Sequence, residues 1–324
     1  MIKAAVVGFG YWGPNHVRNL LKLATVKAVC VCDSSSERLE AAKSQYPDIQ
    51  TAPRFDDIVN DSEIEAVVIA LPAALHFDFA KKALLAGKNV LVEKPLTLSS
   101  EEARELVDLA EKQKKVLMVG STFLYNDGVR EIKKYIDNGD LGDIYHIYFQ
   151  RLNWGKVRQD VNAMWNLAPH DISMTLYWLG EMPRKVMARG AGYLQKDIED
   201  IVFLNMEFKD KKMVHIHSSW LDPHKVRKAV IVASKKHVVY DDMAAENKVQ
   251  IFSPRTDKNF SQFTNEVFCP DIKIREPLAV ECEHFIDCII NNKTPLSGGE
   301  EGLKTVRILE AAQKSLKTGQ AVNL

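Results

Sequence analysis

The sequence predicts an α/β chain in two parts: an N-terminal Rossmann domain with a doubly wound parallel sheet, then an α+β domain with an open, mostly antiparallel sheet. Three observations predict it. Short apolar runs alternate with helical stripes through the first third. The first run ends in a glycine-rich turn that opens a helix. After about residue 122 the pattern changes to period-two alternation. The expected division is 1–121 and 122–324, with the last helix free to pack back on the first domain.

Each element has its own signature. Ile2 to Val7, Val26 to Cys32, Ala66 to Leu71, Val90 to Glu93 and Val116 to Gly120 are nearly continuous in apolar residues. A sheet covered on both faces requires this, which implies parallel strands. Helices are expected near 13–24, 34–45, 77–87 and 100–114. The last is marked by a Ser99/Glu102 capping box and by Ala103, Leu106, Val107 and Ala110 on one stripe. In the second half one helix, Val129 to Asn138, precedes alternating stretches at Tyr145–Arg151, Val202–Phe208, Met213–Trp220 and Ala229–Ala233. These read as antiparallel strands with one solvated face. A final helix near Glu301 to Thr318 carries Leu303, Val306, Leu309, Ala312 and Leu316.

Composition narrows the function. The 324 residues are 46% hydrophobic, and Lys+Arg and Asp+Glu are both 43, so no global field draws the chain to nucleic acid or an anionic membrane. A bound anion must be held locally. The five cysteines are odd in number and lack C-x-x-C spacing, and no apolar stretch could span a bilayer. With no cleavable signal at the start, a soluble protein of the reducing cytoplasm is expected.

Gly8-Phe9-Gly10-Tyr11-Trp12-Gly13 is a G-x-G-x-x-G between a strand and a helix, with Pro14 suited to the helix's first turn. The first glycine makes the turn, the second lets the backbone approach a pyrophosphate, and the third brings the helix close to the strand. Asp33 ends the second strand twenty residues after Gly13. A carboxylate there accepts from both ribose hydroxyls and repels a 2′-phosphate, so the expected cofactor is NAD rather than NADP. An N-cap role for the following helix is compatible with that one. Glu93-Lys94-Pro95 closes another strand, at the edge where open α/β sheets bind ligands. A lysine there can stabilise the alkoxide that develops as hydride leaves.

With these residues in place, the sequence resembles the Gfo/Idh/MocA family of NAD(P)-dependent sugar oxidoreductases. The resemblance rests on the glycine fingerprint, Ala70-Leu71-Pro72 followed by His76, Glu93-Lys94-Pro95, and Trp165-Asn166-Leu167-Ala168-Pro169-His170-Asp171 before Trp178-Leu179-Gly180. It covers nearly the whole chain. Within the family it looks most like the nucleotide-sugar 3-dehydrogenase branch (UDP-N-acetylglucosamine or glucosaminuronate type). The branch residues are Tyr11-Trp12-Gly13-Pro14-Asn15, Phe123-Leu124-Tyr125-Asn126, Arg151-Leu152-Asn153 and Ser219-Trp220-Leu221-Asp222-Pro223.

The resemblance implies catalysis by Lys94 and His170, which flank the hydroxyl being oxidised, and often a cis Lys94-Pro95 peptide. It implies a cofactor site of Gly8, Phe9, Gly10, Tyr11, Trp12, Gly13, Asp33, Ala70, Leu71, His76, Glu93 and Lys94. It implies a substrate site of Lys94, Tyr125, Asn126, Arg151, Asn153, Trp165, Asn166 and His170. It also implies a homodimer or homotetramer formed through the C-terminal sheet. One position departs from the branch: Asn166 stands where Asp is usual, four residues before His170, and an asparagine can orient a histidine without stabilising its imidazolium.

His170 has a case of its own. Pro169 commonly opens a helix, and a helix N-terminus would keep the imidazole neutral and able to take a proton. The alternative is a half-buried histidine packing under Thr175 to Trp178. His76 is as apt for packing in a loop as for ligand contact. His215 and His217 share a strand face without a third ligand nearby, so no metal site is expected.

Arg151, Asn153, Lys156, Arg158, Lys225 and Arg227 could clamp a diphosphate, and Trp165 and Trp220 could stack on a sugar or base; solvated charges and core packing are the plainer roles. The expected reaction is hydride transfer between a sugar carbinol carbon, at C3 of a nucleotide-linked hexose, and nicotinamide. A dehydrogenase of a free sugar, sugar acid or inositol is the rival within enzymes. A non-enzymatic NAD-sensing regulator is the rival outside them.

Overall fold

A computed structural model describes residues 1–155, 157–256 and 263–324. The chain divides into two compact units, each discontinuous in sequence: Met1–Tyr125 with Arg275–Val306, and Asn126–Ile274 with Arg307–Leu324. A single cut after residue 121 contains neither return.

The first unit begins with β1 (Ile2–Val7), α1 (Gly13–Leu21), β2 (Val26–Cys32), α2 (Ser36–Gln45), β3 (Gln50–Ala52), α3 (Phe55–Asn60) and β4 (Ile64–Ile69). It continues with α4 (His76–Leu85), β5 (Asn89–Glu93), α5 (Ser100–Gln113) and β6 (Leu117–Gly120). Its six strands lie in the order β3-β2-β1-β4-β5-β6, all parallel. This is the doubly wound sheet the apolar runs predict. Every residue of β1, β5 and β6 is buried, as two covered faces demand. Because the strands are parallel, the glycine turn, Asp33, the Ala70-Leu71 turn and Lys94 follow strand ends on one edge of this sheet.

The second unit opens with α6 (Asp127–Asp137), β7 (Ile144–Leu152), α7 (Ala163–Leu179), β8 (Lys185–Ala191), β9 (Ile201–Glu207) and β10 (Met213–Ser219). Four strands follow: β11 (Val226–Ala233), β12 (His237–Asp241), β13 (Val249–Thr256) and β14 (Phe263–Phe268). The chain then returns to the first unit as α8 (Pro277–Asn291). It passes through α9 (Gly299–Thr318), which begins in the first unit and ends in the second, to β15 (Val322–Asn323). The nine-stranded sheet runs β14-β13-β12-β11-β7-β10-β9-β8-β15 and is antiparallel throughout except where β7 meets β10.

Helix α7 packs against β10, β9 and β7. Residues Ile147, Phe149, Leu204, Val214 and Ile216 are buried beneath it, and Phe149 stacks on Trp178 with ring centroids 5.8 Å apart. The alternate residues of the same strands, among them Tyr148, Phe203, Asn205, His215 and His217, point to the opposite face and are half-buried or exposed.

One sequence expectation fails in α7. The helix starts at Ala163, with the Asn162 side chain capping the Trp165 N–H at 3.1 Å, and Pro169 lies inside it. Proline removes only its own N–H, and the flanking turns carry the helix past it. His170 therefore sits in mid-helix, and the N-terminal dipole invoked to keep it neutral does not act there.

Candidate active site

The dinucleotide site is built on the β1–α1 turn. Gly8 has φ +96°, and an added Cβ would stand 2.5 Å from the Ala70 carbonyl oxygen; a Cβ at Gly13 would stand 2.1 Å from the Gly8 oxygen. Both positions therefore require glycine, one for the turn and one for the close approach of helix to strand. At Gly10 an added Cβ would meet nothing within 4 Å, so the turn leaves room beside its backbone. Tyr11 and Trp12 flank that opening as exposed aromatics, their rings edge-to-face at 5.4 Å.

The Phe9 N–H donates to Asp33 Oδ2 at 2.8 Å, and the Ser35 N–H to Asp33 Oδ1 at 2.9 Å. These two bonds fix the carboxylate at the end of β2, and Oδ1 keeps a lone pair for a ribose hydroxyl. Ser35, not Asp33, caps α2. Arg38, which no motif in the sequence marks, has its exposed guanidinium 3.4 Å from Asp33 Oδ2. The glycine turn with its open flank, the start of α1 and the anchored carboxylate fit an NAD molecule.

His76 is buried, with Nδ1 2.7 Å from the Pro95 oxygen and Nε2 2.9 Å from the Leu71 oxygen. Burial pushes its pKa down, while the Pro95 and Leu71 carbonyls, which can only accept, work the other way. The ring ties the Ala70-Leu71 turn to the segment after Lys94, acting behind the site through backbone it holds. The Lys94–Pro95 peptide is cis.

Beneath Lys94 lies a buried polar cluster that sequence reasoning missed. Glu93 Oε1 is 2.8 Å from Nε2 of His16, a fully buried histidine of α1, and His16 Nδ1 is 3.7 Å from the Cys282 sulfur on α8. Next to Cys282, Glu281 accepts from the Thr122 hydroxyl at 2.9 Å. The signal available in sequence was a charged residue within an otherwise apolar run, Leu278-Ala279-Val280-Glu281-Cys282.

Several expected substrate contacts in these elements are given structural partners instead. Tyr125 is 1% exposed, and its hydroxyl pairs with Ser297 Oγ at 2.8 Å. In the second unit Asn126 caps α6 through the Gly128 and Val129 N–H groups. Arg151 is 5% exposed and donates through Nε and Nη2 to Asp171 at 3.1 and 2.6 Å. Burial opposes its charge, and the Asp171 carboxylate more than restores it. Arg158 is paired with Asp160 and Arg227 with Asp242, Lys225 is exposed, and Lys156 lies outside the described residues.

Trp165 is buried and donates to Gln313 at 3.1 Å; Trp220 is buried and donates to Asn166 Oδ1 at 3.3 Å. Both indoles thus pack in the unit's interior rather than offering a stacking face. His170 and Asn166 are half-buried on α7, and Asn153 is half-buried just past β7, its N–H on the Ser219 carbonyl. Trp154, which no sequence pattern singles out, is 69% exposed beside Asn153.

The NAD-binding Rossmann model of the GFO/IDH/MocA oxidoreductase family matches residues 2–121, and that family's C-terminal α/β domain model matches residues 133–324. The chain belongs to that family. It is an NAD(P)-dependent sugar oxidoreductase acting on CH–OH groups, with NAD as the cofactor. The non-enzymatic alternative falls with that membership.

An uncharacterized oxidoreductase of Streptococcus pneumoniae is 28% identical over 65% of this chain, a match that spans 61% of its own length. The scyllo-inositol 2-dehydrogenase (NAD(+)) of Bacillus subtilis is 26% identical over 100% of this chain and 96% of its own. Among solved structures, UDP-N-acetylglucosamine 3-dehydrogenase GnnA from Acidithiobacillus ferrooxidans superposes with a TM-score of 0.84, at 23% identity and 98% coverage of both chains. GenD2 from gentamicin A biosynthesis, in complex with NAD, gives 0.86 at 23% identity, covering 100% of this chain and 96% of its own. No helix among the described residues is long and apolar enough to cross a membrane, and no group of three or more His, Cys, Asp or Glu is placed to hold a metal.

Proposed function

We propose that this oxidoreductase transfers hydride between C3 of a nucleotide-linked hexose and NAD. The observation that carries the proposal is the position of Lys94, immediately past β5, on the strand-end edge that also holds the glycine turn and Asp33. NAD, when bound, accepts the hydride on its nicotinamide ring. Lys94 donates a hydrogen bond to the reacting hydroxyl and stabilises the alkoxide that forms as its carbon loses hydride. His170 takes the hydroxyl proton.

The nucleotide-sugar assignment is supported by the branch residues and by the likeness to the UDP-N-acetylglucosamine enzyme. One observation favours a second reading, oxidation of a free polyol. Arg151 and Arg158 are already paired with carboxylates, which leaves neither as an open fork for a diphosphate. Initial rates at 340 nm with UDP-N-acetylglucosamine, dTDP-glucose, scyllo-inositol and free N-acetylglucosamine separate the two. The nucleotide sugars should exceed the free compounds by tenfold or more in kcat/KM; the reverse order would install the polyol reading. Lys94→Ala and His170→Ala should keep NAD binding and lose about a hundredfold or more in turnover.

We also propose that the sheet face opposite α7 pairs with a second copy of the chain, since it presents Met187, Phe203, Tyr148 and Met213, interspersed with Lys185, Arg189, Glu207 and Lys228. Sedimentation of the unaltered protein against Phe203→Glu checks this. The free thiols suit a reducing cytoplasm.

A further inference from the structure

The tryptophans divide by their surroundings. Trp165, Trp178 and Trp220 are buried, Trp12 flanks the cofactor turn, and Trp154 stands 69% exposed at the end of β7. An indole is a large, rigid apolar surface, and one left in water has much to gain from a flat partner. The turn that presents Trp154 is held on both sides. The Asn153 N–H donates to the Ser219 carbonyl at 3.1 Å. The Asn153 side chain folds over Gly155, with Nδ2 1.7 Å from where a Cβ on that glycine would stand.

The same bonds connect this turn to α7. Trp220 follows Ser219 and donates to Asn166 Oδ1 at 3.3 Å, and Asn166 lies one turn before His170. Along this path within the second unit, His170 and Trp154 are separated by about 6 Å of helix rise and about 4.8 Å of strand spacing, besides the side chains that join them. A free hexose held at His170 does not span that distance. A hexose extended by a diphosphate and a base does.

A cation for the diphosphate stands on the neighbouring strand. Strand β11 runs antiparallel to β7 with Val226 opposite Leu152, so Lys225 and Asn153 occupy adjacent strand ends. Lys225 is exposed and forms no ion pair among the described residues. The arginines of this region differ: Arg151, Arg158 and Arg227 are each held by a carboxylate.

We propose that Trp154 and Lys225 form the nucleotide subsite of this enzyme. The base stacks on the Trp154 indole, and Lys225 neutralises the diphosphate that lies between base and hexose. A lysine meets phosphate as a point charge, so the subsite needs no open arginine fork. The inference rests on the nucleotide-sugar reading given above and supplies the diphosphate contact that the paired arginines do not.

Titration calorimetry of UDP into protein saturated with NAD tests the subsite without turnover. Trp154→Ala should weaken UDP binding at least about fivefold, and Trp154→Phe, which keeps an aromatic face, should restore most of it. Lys225→Gln should weaken it about fivefold and flatten its dependence on salt. Both positions are exposed, so the variants should keep the Tm of the unaltered protein. With UDP-N-acetylglucosamine, Trp154→Ala and Lys225→Gln should raise KM for the nucleotide sugar by the same factors, with kcat and the KM for NAD within about twofold.

Unchanged UDP affinity in Trp154→Ala overturns the proposal, and equal losses in Trp154→Ala and Trp154→Phe overturn the stacking role. A Trp154→Ala protein that sediments differently while binding UDP normally assigns the indole to contact between copies of the chain, and the proposal falls. If the unaltered protein binds UDP and neither variant matters, the subsite alone fails. If the unaltered protein binds no UDP and oxidises scyllo-inositol instead, the nucleotide-sugar reading fails and takes the subsite with it.

Discussion

Gly10 and Gly13 stand three residues apart in one fingerprint, yet their substitution by alanine should have opposite consequences. At Gly13 the new methyl carbon would lie 2.1 Å from the Gly8 carbonyl oxygen, about 1 Å inside any tolerated contact, with backbone on both sides. Helix α1 would have to move off β1. Overpacking of this kind costs about 1–3 kcal/mol, or roughly 2–12 °C in Tm for a unit of this size. At Gly10 the methyl meets nothing within 4 Å, and the backbone is not in the left-handed region. Stability should stay within about 0.5 kcal/mol of the unaltered protein. The same methyl occupies the space a pyrophosphate needs, so NAD affinity should fall by at least about tenfold, equivalent to ~1.4 kcal/mol. Differential scanning fluorimetry and NAD titration by quenching of protein fluorescence measure the two quantities on each variant. A Gly10→Ala protein that binds NAD normally, or a Gly13→Ala protein with an unchanged Tm, would refute the assignment of the turn.

Asp33→Ser should shrink the NAD preference by tenfold or more and bring NADP into use, because it removes the repelling carboxylate and leaves Arg38 in place; Asp33→Ser with Arg38→Ala should lose the NADP gain, as cofactor titrations will show. Arg151→Met strands the buried Asp171 and should cost about 3–5 kcal/mol in chemical denaturation, whereas Arg151→Met with Asp171→Leu should recover most of it. His76, His146, His215 and His217 are all held below the usual histidine pKa by burial, so the native state binds fewer protons than the unfolded one as pH falls. Stability should therefore be full above about pH 6.5 and decline below it, with a shallower decline in His215→Gln and His217→Gln; an equal slope in those variants would remove them from the linkage. Asn166→Asp should keep the Trp220 contact and raise the rate near neutral pH, and an identical pH–rate profile would show that residue 166 does not act on His170.

What the sequence made legible follows the range of the interactions concerned. The long apolar strands and the fingerprint are local patterns, and they lie where expected. Short β3 and α3 were missed because three and six residues carry too little periodicity. The start of α7 was misplaced because Pro169 reads locally as a beginning, while the cap that does begin the helix is Asn162. Arg151 looked like a free fork because its partner is twenty residues away, and the Thr122–Glu281 bond spans 159 positions. No periodicity encodes such a pairing. The glycine turn and Asp33 were legible because their chemistry is set by immediate neighbours, and the buried cluster of His16, Glu93, Glu281 and Cys282 was not.

The discontinuity of the first unit has a consequence for synthesis on the ribosome. Strand β6 is the open edge of the parallel sheet, and it is covered by Ser297 and Gly298, through the Val119 N–H on the Ser297 carbonyl at 2.8 Å and the Met118–Gly298 bridge. When Tyr125 leaves the ribosome, about 150 residues remain to be made before Arg275 appears. At ~5–20 residues per second this interval lasts roughly 8–30 s, during which the nascent sheet holds an uncovered apolar edge. A chaperone bound to that edge would protect the chain for this time, and a fragment ending near residue 121 would never lose the exposure.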